Sequence, residues 1–176
     1  KGTVINDINE LEDFWKRYEL ELIRKVKYGV RVSGEEKQIR IALAATMKKI
    51  VGSRGKGLVE RVQPFFEDVN LFALKGALLE AEKKFGFILA DISYFDFLVQ
   101  MAIVVSRNKN GITYDWHETE SEELQKEKEW TICEYLHTCM EFSEKETLNK
   151  AEIIYLTKCL RTAKFQSIFD KDSEDI

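Results

Sequence analysis

Two stretches of helix-like periodicity enclose a short alternating segment in the first 51 residues of the chain. Apolar residues recur every three or four positions from Ile5 to Trp15, after a candidate N-cap at Thr3, which predicts a helix over residues 3–17. Apolar and charged residues then alternate over residues 20–32, around a turn at 27–29, and this pattern predicts a short β-hairpin. We therefore expect a helix that leads directly into a hairpin.

A second helix is predicted directly after the hairpin. Ser33 offers a cap, acidic residues follow in the first turn, and the helix should continue to Val51. Lys37 and Arg40 are expected on its exposed side. The order helix, hairpin, helix is typical of the C-terminal part of a winged helix-turn-helix, which we assign to residues 1–51. Because such a domain needs earlier helices to bury its recognition helix, we expect a fragment of a larger regulator.

Composition favours a mostly helical protein. The 176 residues include one proline, nine glycines and 33% charged residues, whereas a β-sandwich needs many more turn residues. The 44% of hydrophobic residues suffices for one main core with a small appendage. Three cysteines without the spacing of a disulfide framework indicate reduced thiols, and we find no signal peptide and no apolar run that could span a bilayer. We expect an all-α, soluble, cytoplasmic protein.

A glycine-rich segment at residues 52–57 separates this first unit from the rest of the chain. It lacks the preceding strand and the Ser or Thr after lysine that a phosphate-binding loop requires, so we interpret it as a linker. Residues 58–169 are predicted to form an antiparallel helical bundle, followed by an acidic tail at 170–176. The predicted helices are residues 65–85 ending at Gly86, a helix capped by Ser93 and apolar from Phe97 to Val105, residues 119–140, and residues 147–165.

Positive charge is concentrated in the first third, although the net charge of the chain is −4. A winged helix-turn-helix contacts DNA with its recognition helix and with its wing. The DNA-binding residues predicted on this basis are Lys1, Thr3 and Asn6 on the first helix and Arg24, Lys25 and Lys27 on the hairpin. For each of them the alternative is ordinary solvated surface. Without the earlier helices, we expect DNA binding by this chain to be weak or absent.

Three motifs follow one another along the chain. They are the segment from Tyr28 to Arg40, the sequence Arg-Asn-Lys-Asn-Gly at 107–111, and the segment from Tyr155 to Lys164, which begins Tyr-Leu-Thr and ends Ala-Lys. In this order they resemble bacterial transcription regulators that are controlled by the sugar phosphotransferase system and contain a PTS regulation domain, or PRD. The resemblance covers nearly the whole chain and is to activators or antiterminators of the mannitol and lichenan operon type.

The resemblance implies a homodimeric regulator of sugar-uptake genes whose DNA binding is set by the PRD. In that family a phosphocarrier protein or a sugar-transporter subunit phosphorylates histidines on two helices. The matching positions hold Gln100 and Cys159 here, and neither side chain can accept phosphate in the usual way. The alternative is a dimerisation or interaction module that is not phosphorylated, as in related virulence regulators.

Gln100 and Cys159 also carry information without the resemblance. Gln100 is the only polar residue between Phe97 and Val105, and burying an amide without partners costs about 1–3 kcal/mol, so we expect it to have hydrogen-bond partners. Gln100 is then either a core glutamine whose hydrogen bonds are all made, or a residue that replaces a regulatory histidine and cannot be switched by phosphorylation. Cys159 follows Tyr155 by one helical turn and fits a small apolar position on an inner face.

Neither histidine of the chain offers a good replacement site. His117 lies among acidic residues that would repel a phosphate donor. His137 shares a helix face with Cys133, but no second cluster completes a metal site. No catalytic motif or nucleotide fingerprint is present, so we expect a non-enzymatic protein without metal or cofactor. The remaining alternative is a small helical enzyme that uses His137 and the cysteines.

Overall fold

The computed structural model describes residues 10–25, 29–52, 57–116, 118–140 and 150–168. Residues 10–16 form helix α1, and the hairpin follows as antiparallel strands β1 (Glu21–Lys25) and β2 (Gly29–Ser33). Helix α2 (Glu36–Val51) comes next. The predicted order of helix, hairpin and helix is therefore found over the described part of residues 10–51. The predicted start of the first helix and most of the predicted turn lie outside the described residues.

The base of the hairpin is closed by Leu20, which is 3% exposed. A Cβ at Gly34 would lie 2.4 Å from Leu20 Cδ2, so a larger residue at this position would require the Leu20 side chain to move. The predicted cap at Ser33 is wrong, because Ser33 ends β2. Glu35 occupies the N-cap position of α2 and makes no side-chain capping bond.

The remaining described residues are mostly helical. The helices are α3 (Leu58–Val62), which continues into a short 3₁₀ turn (Gln63–Phe65), α4 (Leu71–Phe85), α5 (Asp91–Lys109), α6 (Glu118–Leu124), α7 (Lys128–Cys139) and α8 (Lys150–Arg161). Two short strands, β3 (Phe87–Leu89) and β4 (Phe165–Ile168), pair antiparallel. The prediction of an all-α bundle with a short hairpin is confirmed.

The first bundle helix was predicted to begin at residue 65, but α4 begins at Leu71. Pro64 lies within the 3₁₀ turn, where its fixed φ is tolerated, and the chain then leaves helical geometry. Asn70 restarts the helix, because its side-chain oxygen accepts a hydrogen bond from the backbone N–H of Ala73 at 3.1 Å. The predicted end at Gly86 is confirmed, with Gly86 at φ 68° in the left-handed region.

The cap predicted at Ser93 is also wrong. Helix α5 begins at Asp91, and the Ser93 hydroxyl instead accepts a hydrogen bond from the backbone N–H of Lys164 at 2.8 Å. This contact ties the segment after α8 to the start of α5. The predicted helix 119–140 is divided at residues 125–127 into α6 and α7, and the last helix ends at Arg161 before β4.

Helix α5 lies at the centre of the bundle and contacts α2, α4 and α8. All its residues from Phe97 to Val105 are buried except Gln100, which is half-buried. Met47 and Val51 of α2 belong to the same hydrophobic core, so the last helix of the N-terminal segment packs as part of the bundle. Among the described helices, none combines the length and the apolar character that crossing a membrane requires.

Candidate regulatory site

A cleft of about 540 Å³ lies between α2 on one side and α5 and α8 on the other. Gln100 of α5 and Cys159 of α8 both line it, together with Tyr155. The two positions that the sequence singled out are 59 residues apart, and the antiparallel packing of α5 and α8 brings them to one site. The cleft is therefore the candidate regulatory site.

Gln100 has the hydrogen-bond partner that its sequence context predicts. The Tyr155 hydroxyl donates to the Gln100 Oε1 atom at 2.7 Å. Burial raises the pKa of Tyr155 well above its ordinary value, more strongly than the nearby Arg40 charge lowers it, so the phenol stays protonated and remains a donor. Both polar groups are thus satisfied in the cleft wall.

Cys159 is an unreactive thiol in this site. Burial raises its pKa to about 12, although the hydrogen bond with Tyr155 and the charge of Arg40 act in the opposite direction. Because only the thiolate is a good nucleophile or metal ligand, Cys159 has little of either character at neutral pH. In the part of the chain that the structure describes, no three His, Cys, Asp or Glu side chains are grouped so that they could hold a metal ion.

Arg40 does not lie on the exposed side of α2, and that expectation is wrong. Its side chain is fully buried. Both terminal nitrogens donate to the Glu152 carboxylate of α8, the Nη2–Oε1 bond measuring 2.9 Å, and the Nε atom donates to Glu36 Oε1 at 2.8 Å. Arg40 therefore joins α2 to α8 through a buried bidentate ion pair.

The ion pair belongs to a larger network that also reaches α5. Arg107 donates to Glu36, with an Nε–Oε1 distance of 2.8 Å, and the backbone N–H of Tyr114 donates to Glu152 Oε1 at 2.9 Å. Burial alone would raise the pKa of Glu36, but the hydrogen bonds from Arg107 and Arg40 outweigh it and hold this pKa below its ordinary value. Two arginines and two glutamates are thus matched within one network, which is fully buried at Arg40 and Glu152 and partly exposed at Arg107 and Glu36.

The charge network and the cleft meet at Tyr155. The Arg40 guanidinium carbon lies 4.8 Å from the centre of the Tyr155 ring, in cation–π contact, while the hydroxyl of the same ring bonds to Gln100. Tyr114 packs against Tyr155 with ring centres 5.1 Å apart. Sequence reasoning missed Arg40 and Glu152, because no local pattern reveals a partner 112 residues away. The signal available was the position of Glu152 beside Ala151, Ile153 and Ile154 in an apolar run.

The structure describes only two of the six predicted DNA contacts. Arg24 Nη2 donates to Glu12 Oε2 of α1 at 2.6 Å, and Lys25 is exposed at the end of β1. Lys1, Thr3, Asn6 and Lys27 lie outside the described residues.

His137 is not among the described residues that line the cleft. His137 is half-buried on α7, and His117 lies outside the described residues. Cys133, on the same helix as His137, is fully buried, and burial raises the pKa of its thiol far above the ordinary value despite a hydrogen bond with Thr157. Cys133 therefore offers no reactive thiol beside His137 at neutral pH.

A comparison with protein families matches residues 75–163 to the PRD domain. This match covers just over half of the chain, and the protein belongs to the PRD family. The PRD is a regulatory rather than a catalytic domain and is associated with control by the phosphotransferase system. The match includes Gln100, Glu152 and Cys159, whereas Glu36 and Arg40 precede it. No curated protein matches the chain.

Proposed function

We propose that the protein is a transcription regulator of sugar-uptake genes whose PRD is not switched by phosphorylation at Gln100 and Cys159. The observation that carries the proposal is that both positions line one cleft between α2 and the bundle and that neither offers an imidazole. An amide nitrogen is not nucleophilic, and Cys159 is a protonated thiol at neutral pH. The PRD match supports the regulatory part of the proposal.

In this proposal the hairpin and α1 belong to a DNA-binding winged helix-turn-helix. The proposed DNA contacts are Lys1, Thr3, Asn6, Arg24, Lys25 and Lys27. Arg24 would exchange its present partner, Glu12, for a backbone phosphate. Helix α2 would connect this unit to the PRD through Arg40, so a change in the bundle could alter the position of the hairpin.

Phosphotransfer provides the direct test. The protein is incubated with phosphoenolpyruvate, the general phosphotransfer enzyme and the phosphocarrier protein, and its intact mass is then measured. We expect no gain in mass. The matched variants Gln100→His and Cys159→His restore an imidazole in the cleft and should each gain one phosphoryl group, which shows that the donor can reach the site.

A phosphoryl group on the unaltered protein would contradict the proposal. The variants His117→Ala and His137→Ala then identify the acceptor, because removing the modified histidine abolishes the gain. A failure of both restored variants to gain phosphate would mean that the cleft does not correspond to the phosphorylation site of the family. The absence of phosphorylation in the unaltered protein and the assignment of the cleft as the phosphorylation site of the family are therefore tested separately.

A second candidate function is a dimerisation or interaction module that is not phosphorylated. It is favoured by an apolar strip on the outer face of α4, where Phe72 is 53% exposed and Leu79, two turns later, is 45% exposed. The molar mass from sedimentation velocity, measured with and without the substitution Phe72→Glu, tests this candidate. A homodimer that Phe72→Glu dissociates supports it, and a monomer at all concentrations removes it.

We propose no enzymatic activity for the chain. The alternative enzyme that would use His137 and the cysteines is not favoured at Cys133, which is fully buried and whose thiol pKa is raised by burial. Cys139 lines a separate cleft with polar residues. Elemental analysis of the purified protein tests the remaining metal-dependent version of that alternative. A stoichiometric transition metal that is lost in His137→Ala would restore it.

A further inference from the structure

The cleft between α2, α5 and α8 has the size of a small-molecule site. Its volume of about 540 Å³ lies within the roughly 300–1,000 Å³ that is common for ligand pockets. One wall belongs to α2, which precedes the region that matches the PRD, and the other wall belongs to α5 and α8 within that region. An occupant would therefore contact both parts of the chain at once.

The charged side chains that line the cleft are mostly positive. Lys37 and Lys48 of α2 and Lys158 of α8 face a single acidic residue, Asp96. Lys48 Nζ pairs with the two Asp96 oxygens at 2.9 and 3.1 Å. Lys158 Nζ lies 3.5 Å from the Tyr114 hydroxyl. The charged side chains that line the cleft thus sum to a net positive charge, most of it on the α2 wall, and this charge favours an anionic occupant.

Much of the remaining lining is apolar, although Ser93 and Thr162 also belong to it, and the cleft is larger than a simple inorganic ion requires. Ile41, Ala44 and Ala45 form much of the α2 wall, and Phe97 and Ala163 contribute from the other side. Ile41 is 37% exposed, although its neighbours along the cleft are largely covered. Burying this surface under a second apolar body is favourable by about 25 cal/mol per Å².

We propose that this cleft binds a small organic anion that carries an apolar body, with the anionic group between Lys37 and Lys158. The Gln100 Oε1 atom accepts the Tyr155 hydroxyl, and the Gln100 N–H groups are donors that suit an anionic occupant. Such a ligand would contact both α2 and α8 and hold the two helices together. It stabilises the joined arrangement of the two walls in proportion to its occupancy, whether or not the domain is phosphorylated.

The fluorescent aromatic sulfonate 8-anilinonaphthalene-1-sulfonate is a suitable probe, because it combines one negative charge with an apolar body. Titration of the 176-residue protein is expected to give saturable binding of one probe per chain. The substitutions Lys37→Gln and Lys158→Gln should each raise the probe Kd by about fivefold or more. Raising the salt concentration should weaken binding in the same direction.

Two controls distinguish binding in the cleft from non-specific electrostatic attraction of the probe to the protein surface. Lys75→Gln removes the same charge from an exposed position on α4 outside the cleft and should leave the Kd unchanged. The uncharged analogue N-phenyl-1-naphthylamine should bind at least about fivefold more weakly than the sulfonate and show no response to Lys37→Gln. Ala45→Leu, which fills the α2 wall, should block both compounds.

The proposal is overturned if probe binding is not saturable, or if Lys37→Gln, Lys158→Gln and Lys75→Gln all bind equally well. It is also overturned if the neutral analogue binds as tightly as the sulfonate, because the cleft would then be an apolar surface without anion selectivity. Thermal unfolding of each variant, monitored by circular dichroism, shows that a lost signal reflects binding rather than folding. None of these outcomes depends on the phosphotransfer test above.

Discussion

Ion pairs of opposite character hold the hairpin to α1 and α2 to the bundle. Before α2, the hairpin is attached to α1 by Arg24 and Glu12, whose side chains are 44% and 32% exposed. Within α2, Arg40 and its partner Glu152 are both fully buried. An exposed pair is screened by water and contributes little, whereas a buried pair is costly to break because one charge is left without its partner. The hairpin is therefore the more loosely held part, and the junction of α2 with the bundle is the firmer one.

The largest effect should come from breaking the buried pair. Glu152→Ala leaves the Arg40 charge buried without its bidentate partner and should lower the free energy of unfolding by about 3–5 kcal/mol. Urea denaturation at neutral pH measures this change. The double variant Arg40→Met, Glu152→Leu should recover most of the loss, because it removes both charges. A loss below about 1 kcal/mol for Glu152→Ala would mean that the pair behaves like the exposed one.

A smaller loss is expected from the neutral hydrogen bond in the cleft. Tyr155→Phe removes the donor to Gln100 and should lower the free energy of unfolding by about 1–3 kcal/mol. The double variant Gln100→Leu, Tyr155→Phe removes both partners and should cost less than the two single losses added together. Additive losses would show that the bond contributes nothing of its own.

The pH dependence distinguishes the junction from a second glutamate outside it. The two arginines lower the pKa of Glu36 below the ordinary value of 4.5, so its contribution to stability is present above that pH and is lost as the pH falls through the folded-state value. Burial raises the pKa of Glu82, with its hydrogen bond from Leu89 acting against this, so its contribution is lost as the pH rises through the raised value. Glu36→Gln should flatten the acid limb of the stability curve, and Glu82→Gln should steepen it. Equal slopes in both variants would contradict the assignment.

The smallest effect should be found at the hairpin. Arg24→Ala removes the pair with Glu12 and should change the free energy of unfolding by less than about 1 kcal/mol, since the pair is exposed. Glu12→Ala serves as the matched control, with the difference that Glu12 also lies 3.5 Å from Lys16 Nζ. If Arg24→Ala lowered the free energy of unfolding as much as Glu152→Ala does, the exposed pair and the buried pair would contribute equally, and the comparison would fail.

Local periodicity was enough to predict several elements of the fold. The hairpin, α2, the end of α4 at Gly86 and the buried run of α5 follow from patterns within single segments. The errors at Ser33 and Ser93 concern contacts between distant segments, whereas the late start of α4 has a local cause at Pro64 and Asn70. Serine is a favourable residue at a helix N-cap, which is why Ser33 and Ser93 were predicted as caps. Ser33 instead belongs to β2, and the Ser93 hydroxyl accepts a hydrogen bond from Lys164, after α8.

In the candidate site, too, features within one segment could be predicted from the sequence, and contacts between distant segments could not. Gln100 could be recognised because one amide interrupts an apolar run, and its need for a partner followed from desolvation alone. Arg40 could not be recognised, because an arginine on an amphipathic helix is normally solvated and its true partner is 112 residues away. The pairing of β3 with β4 was equally hidden, since strands of three and four residues carry almost no periodic signal.

The ion pair between Arg40 and Glu152 also fixes the position of α2 along the bundle. A slide of α2 by one helical turn, about 5.4 Å, would bring either Glu36 or Ala44 opposite the Glu152 carboxylate. The first shift sets two negative charges against each other, and the second leaves Glu152 with no cation. Translation of α2 is thus costly in both directions, whereas a tilt about Arg40 would keep the pair intact. A displacement of α2 that preserves this pair is therefore a rotation about Arg40 rather than a slide along the bundle.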